Sequence, residues 1–94
     1  MKAKIWNYNT WIKETNPNRL KFLLGALLKE SGFGILTFNE HYYKPFGYSA
    51  FWFLAESHLA LHTFPEEGKT YIELTSCVRE PFNYLINKLH KVTK

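Results

Sequence analysis

The sequence is poor in cysteine: Cys77 stands alone in 94 residues. No disulfide can close within the chain, which excludes a cross-linked secreted scaffold and fits a reducing compartment. No apolar run is long enough to span a bilayer, and Met1 to Trp6 lacks the apolar core of a signal peptide. A cytoplasmic protein without a membrane partner is therefore expected. Repeats, linkers and low-complexity tracts are missing as well. A gathered basic patch is also lacking, although 12 Lys and Arg against 8 Asp and Glu leave a net charge of +4. The cations are scattered through the helical stretches and both termini, which argues against a nucleic-acid partner.

Aromatic surface is what the chain has in quantity. Hydrophobic residues make up 46% and aromatic ones 18%, against 21% charged, a composition that folds. Three Trp, six Tyr and eight Phe are more than one small core takes in, so the surplus predicts a subunit interface or a ligand pocket. The length suits one domain, residues 1–94, and leaves no room for a second.

Periodicity supplies the elements. Lys4 to Ile12 reads as a first strand. A helix follows, capped by Asn16 with Pro17 at its first position, its stripe being Leu20, Leu23, Leu24, Leu27 and Leu28, with Gly32 as the stop. Gly34 to Tyr43 reads as a second strand and Lys44 to Gly47 as a turn. Phe51 to Leu54 is apolar on both alternating sets, which predicts cover on both faces, one by the helices and one by a partner subunit. His58 to Thr63 alternates, Leu59 and Leu61 on one face and His58, Ala60 and His62 on the other. Thr70 to Cys77 alternates too, with Ile72 and Leu74 opposed to Tyr71, Glu73, Thr75 and Cys77. A second helix is predicted after Pro81, on the stripe Phe82, Leu85, Ile86 and Leu89. The order predicts an α+β fold, an antiparallel sheet with two helices packed on one face as a two-layer sandwich.

The segment GYSAFWFLAESHLALHTFPEEGKTYIELTSC, residues 47–77, carries Ser49, Glu56, Ser57, His58, His62, Thr63, Pro65, Glu66, Gly68 and Cys77 at offsets that resemble the prokaryotic S-adenosylmethionine decarboxylase family. Its members show Gly-x-Ser, Glu-Ser-His, Ile-His-Thr-Trp-Pro-Glu and a Thr-Cys ending. Each residue alone is an ordinary strand residue, a serine hydroxyl or a small buried thiol; the joint spacing points to chemistry. A zinc site from His58, His62 and Cys77 lacks a fourth ligand and conventional spacing.

The resemblance implies a precursor that cuts itself between Glu56 and Ser57, giving a β chain 1–56 and an α chain 57–94, and a covalent pyruvoyl cofactor made from Ser57. The Ser57 hydroxyl would attack the Glu56 carbonyl, and elimination from the resulting ester would leave the keto group. His62 and Ser49 are implied in processing and Cys77 as proton donor to the substrate. A pyruvoyl carbonyl holds a substrate amine as a Schiff base and serves as electron sink, as pyridoxal phosphate does elsewhere. Tyr43, six places before Ser49, would stack on adenine and Glu66 would hold the ribose hydroxyls. A homodimer of cleaved protomers is implied, with decarboxylated S-adenosylmethionine supplied to spermidine synthesis. Phe64 replaces the usual Trp, Lys69 replaces Tyr, Tyr48 fills the Gly-x-Ser gap, and the opening Ile5-Trp6-Asn7-Tyr8 and the short end also depart from the pattern. These changes cluster around the parts that would shape the substrate pocket or the sheet edge, which keeps open a pyruvoyl enzyme acting on ornithine or arginine, and an uncleaved regulatory homologue.

Overall fold

The computed structural model describes residues 3–93; Met1, Lys2 and Lys94, the ends of the domain expected over 1–94, lie outside the described residues. Strand β1 (Trp6–Ile12) and helix α1 (Pro17–Ser31) are followed by four strands, β2 (Ile35–Tyr42), β3 (Tyr48–Leu54), β4 (Ser57–Phe64) and β5 (Lys69–Ser76), and then by helix α2 (Arg79–Val92). The sheet runs in the order β1-β5-β4-β3-β2 with every neighbour antiparallel. Both helices feed one core with one face of the sheet, so the α+β sandwich stands as read from the pattern.

Local chemistry sets the elements. The Asn16 side chain accepts from the Arg19 N–H at 3.0 Å, Pro17 opens α1, and Gly32 closes it in the left-handed region at φ 95°, where a side chain would be strained. Leu20, Leu24, Leu27 and Leu28 face inward from α1; Phe82, Leu85 and Leu89 do so from α2. They meet Tyr48, Trp52, Leu54, Leu59, Leu61, Ile72 and Leu74 from the sheet. Each such side chain stabilises the fold by about 1.5–3 kcal/mol relative to exposure.

Two readings need correction. Helix α2 starts at Arg79, two residues before Pro81, because the third helical N–H has no intrahelical acceptor and proline costs nothing there. Strand β5 ends at Ser76, so Cys77 is not a strand residue facing with Tyr71 and Glu73; it lies just beyond, exposed. A third reading concerns β3: in the single chain the helices cover the face of Trp52, as expected, while Phe53 on the other face, where the expected cover is a partner subunit, is 53% exposed.

Candidate active site

Strands β3 and β4 are joined by a two-residue turn, Ala55 and Glu56, with Leu54 and Ser57 paired across it. Glu56 is the one non-glycine residue at positive φ among the described residues, at 58°. A side chain there carries a backbone cost of about 1–2 kcal/mol. The Glu56 carbonyl accepts from the Cys77 backbone N–H at 3.0 Å. The Ser57 hydroxyl stands 2.7 Å from that carbonyl oxygen and 2.7 Å from the Ser76 hydroxyl. Ser76 in turn accepts from the Val78 N–H at 2.9 Å and lies 2.9 Å from the Val78 carbonyl. Ser57 and Ser76 are both buried, because in β4 and β5 they fall on the alternating set that faces the helices.

A second cluster occupies the other end of the sheet. Ser49 and His62 are register partners on β3 and β4, with Ser49 Oγ 2.7 Å from His62 Nδ1. The hydroxyl donates when that nitrogen is bare and accepts when it carries the proton. Tyr43, Ser49, His62 and Glu66 line one groove of about 310 Å³. Tyr43 meets His41 edge-on at 4.5 Å. A wider groove of about 430 Å³ continues along the open face past Phe51, Ala60 and Glu73. A separate concavity, about 570 Å³ beside Glu14, Arg19 and Val92, shares no residue with either cluster.

Compared with known families, residues 10–92 match that of S-adenosylmethionine decarboxylase. The chain belongs to this family. A relative named S-adenosylmethionine decarboxylase proenzyme from Thermodesulfovibrio yellowstonii is 36% identical over 72 residues, which cover 70% of this chain and 53% of that protein. Another of the same name from Thermotoga maritima is 44% identical over 48 residues, 51% of this chain and 37% of its own length. The chain thus spans about half, or less, of these curated relatives. The crystal structure of the adenosylmethionine decarboxylase from Aquifex aeolicus shares the fold at a TM-score of 0.72, with 18% identity, covering 96% of this chain and 83% of that one.

Against the residues that the family resemblance singled out, the structure joins two groups and keeps them apart. Glu56, Ser57 and the Cys77 backbone meet at the hairpin. Tyr43, Ser49, His62 and Glu66 share the distant groove. Five residues separate Ser57 from His62 along β4, about 16 Å of extended chain, and the odd offset turns their side chains to opposite faces. His58 stacks on Phe51 at 5.4 Å, so the two imidazoles of β4 have separate partners. Ser76 went unnoticed in the sequence except as a strand residue; its only signal there is adjacency to Cys77.

A third polar cluster ties the layers together. Glu40 on β2 accepts from the Tyr48 hydroxyl at 2.6 Å and pairs with Lys21 of α1 at 2.9 Å. The Tyr48 hydrogen bond, then Lys21, holds the Glu40 carboxyl below the usual carboxylate range. Burial, then Glu40, pushes the Tyr48 phenol up.

Proposed function

We propose that this chain is a pyruvoyl-dependent S-adenosylmethionine decarboxylase, made as a precursor and cut by its own chemistry between Glu56 and Ser57 into chains 1–56 and 57–94. The observation that carries this reading is the hairpin. A serine hydroxyl lies 2.7 Å from the oxygen of the carbonyl preceding it, and a backbone N–H already polarises that carbonyl from 3.0 Å. The residue bearing it sits in a backbone conformation that favours release. Ser57 thus fits as the source of a pyruvoyl group, which supplies an electron sink for loss of carbon dioxide.

The other residues take roles by position. Cys77 follows the strand that pairs with Ser57 and is exposed, so its thiol is open to a substrate at the hairpin; it is the proton donor of this reading. Tyr43 and Glu66 frame the groove that would receive the nucleoside, by stacking and by accepting from a diol. Ser49 and His62 form the base pair that processing needs.

A single chain leaves that pair about 16 Å from the bond to be cut. A second copy provides the remedy. Phe51, Phe53, Trp11 and Phe64 are exposed together on the helix-free face, the kind of apolar clustering that marks a surface for a second copy. A two-fold pairing of these faces with its axis across the strands would lay the His62 end of one sheet over the hairpin end of the other. Such a base approaches from the side away from the Ser57 hydroxyl, where the Cα–H lost in elimination lies. The active form is therefore a homodimer in a reducing, aqueous compartment; no described helix is long and apolar enough to cross a membrane.

Intact mass of purified protein, before and after a carbonyl reagent, tests the core of the reading. Two fragments, with a keto group blocked on residues 57–94, are expected; one uncut chain rejects it and leaves a regulatory homologue. Carbon dioxide release from S-adenosylmethionine, ornithine and arginine then fixes the substrate, and release only from a plain amino acid overturns the first assignment.

A further inference from the structure

Ser57 has one hydroxyl proton and two oxygens at 2.7 Å, the Glu56 carbonyl and Ser76 Oγ. Where that proton points decides whether the group is a nucleophile. If it is donated to the Glu56 oxygen, Ser76 is free to donate into a Ser57 lone pair, and the oxygen that must attack is then occupied. If it is donated to Ser76, the Ser76 proton goes on to the Val78 carbonyl at 2.9 Å, and the Ser57 lone pairs are left facing the Glu56 peptide. Ser76 is held for this second arrangement. The Val78 N–H fixes its oxygen from 2.9 Å, and it is wholly buried, so water does not compete for its lone pairs. The next amide along, that of Cys77, is the donor on the Glu56 carbonyl. Two consecutive residues at the end of β5 thus address the two partners of one reaction, the side chain of Ser76 the nucleophile and the backbone of Cys77 the electrophile.

We propose that Ser76 is a positioning residue for self-cleavage, taking the Ser57 hydroxyl proton as a hydrogen bond and aiming the freed lone pair at the Glu56 carbonyl carbon. The inference rests on the self-cutting reading above. In the step served, a bond forms between Ser57 Oγ and the Glu56 carbonyl carbon, the bond from that carbon to the Ser57 nitrogen breaks, and the hydroxyl proton ends on the released amine. The balance closes without a co-reactant. Ser76 gains and loses nothing; it accepts a hydrogen bond from the hydroxyl until that proton leaves for the amine.

The test follows cutting of freshly translated precursor on a denaturing gel, for wild type, Ser76→Ala and Ser76→Thr, with and without hydroxylamine, which cleaves an ester but spares the amide. Ser76→Ala should slow the appearance of fragment 57–94 by about tenfold or more, the scale of one lost hydrogen bond to a reacting group. Hydroxylamine should not restore it, since little ester forms. Ser76→Thr, which keeps the hydroxyl, should recover most of the rate. Circular dichroism melting checks the fold, and if the alanine variant fails to fold, Ser76→Cys, closest in shape and a weak hydrogen-bonding partner, takes its place with the same slow cutting expected. Cutting at the wild-type rate by a folded variant overturns the inference. So does a variant that hydroxylamine cuts quickly, because its ester then forms normally and Ser76 acts later. A wild-type precursor that never cuts instead removes the underlying reading, a result separate from either.

Discussion

The two faces of β4 differ in what surrounds their side chains. On the helix side Ser57, Leu59, Leu61 and Thr63 are all buried, so the serine proposed to react is set into the same layer as the core leucines. On the other side His58, Ala60, His62 and Phe64 alternate with them, and His62 is exposed. A nucleophile that must hold one orientation gains from close packing, whereas a base that must meet a bond elsewhere gains from standing in the open. On the proposed reading, the bond to be cut and the group that would assist it lie on opposite faces of β4 and cannot meet within one sheet. Period-two geometry forbids it at an odd spacing.

The largest effect follows from that separation. His62→Ala should slow cutting by about 100-fold, the lower range for loss of a general base. Co-expressed with a Ser57→Ala chain, which cannot cut but retains His62, the His62→Ala chain should be cut again. Absence of such rescue, read by mass on tagged chains that do associate, would place the base within one chain and break the comparison.

The faces should also differ in stability. Leu61→Ala leaves a hole between sheet and helices and should cost about 3 kcal/mol in a denaturant melt of the non-cutting Ser57→Ala chain. Phe53→Ser, on the open side, should change the dilute melt by less than about 0.5 kcal/mol. Its effect should appear instead in sedimentation, as a loss of dimer, and in the concentration dependence of the melting temperature. An equal cost for both at high dilution would mean that the open face is not a surface awaiting a second copy.

Much of this division was legible in the amino acids. Asn16, Pro17 and Gly32 bracket α1 through capping chemistry that acts within a few residues, and Leu59 and Leu61 against His58 and His62 declare the two faces of β4 by alternation alone. The Ala55-Glu56 turn was not legible, because neither residue carries turn chemistry; the positive φ of Glu56 is imposed by the pairing of β3 with β4 rather than chosen by the residue. Equally hidden was the partner of Ser57. Ser76 lies 19 positions away and arrives only through the antiparallel register of β4 with β5, a relation that no local pattern encodes. The start of α2 ahead of Pro81 was missed for the opposite reason, since a proline reads as a boundary although the first turn of a helix accepts it.

The link between α1 and the sheet gives a smaller effect with a defined pH dependence. Tyr48→Phe removes the donor to Glu40 and should cost about 1 kcal/mol at neutral pH. Because the folded-state carboxyl is held below its unfolded value, the stability that it contributes is present above the ordinary range near 4.3 and is lost as pH falls through the depressed folded value. Tyr48 is the first cause of that depression, so the phenylalanine variant should lose less stability between pH 6 and pH 3 than its parent. Parallel melts over that range check the sign.

The smallest effect concerns the hairpin, where the two faces meet. In the Ser57→Ala background Glu56→Gly removes a side chain from the left-handed region, a relief of about 1–2 kcal/mol, against an added unfolded-state entropy of about 0.5–1 kcal/mol. The precursor should therefore become more stable by about 0.5 kcal/mol. With Ser57 restored, the same substitution should cut more slowly, because the ground state has lost strain that breaking the bond would have released. A variant that is more stable and cuts just as fast would show that the backbone cost at Glu56 belongs to the turn alone, and that orientation of the Ser57 hydroxyl, rather than strain, is what the covered face contributes.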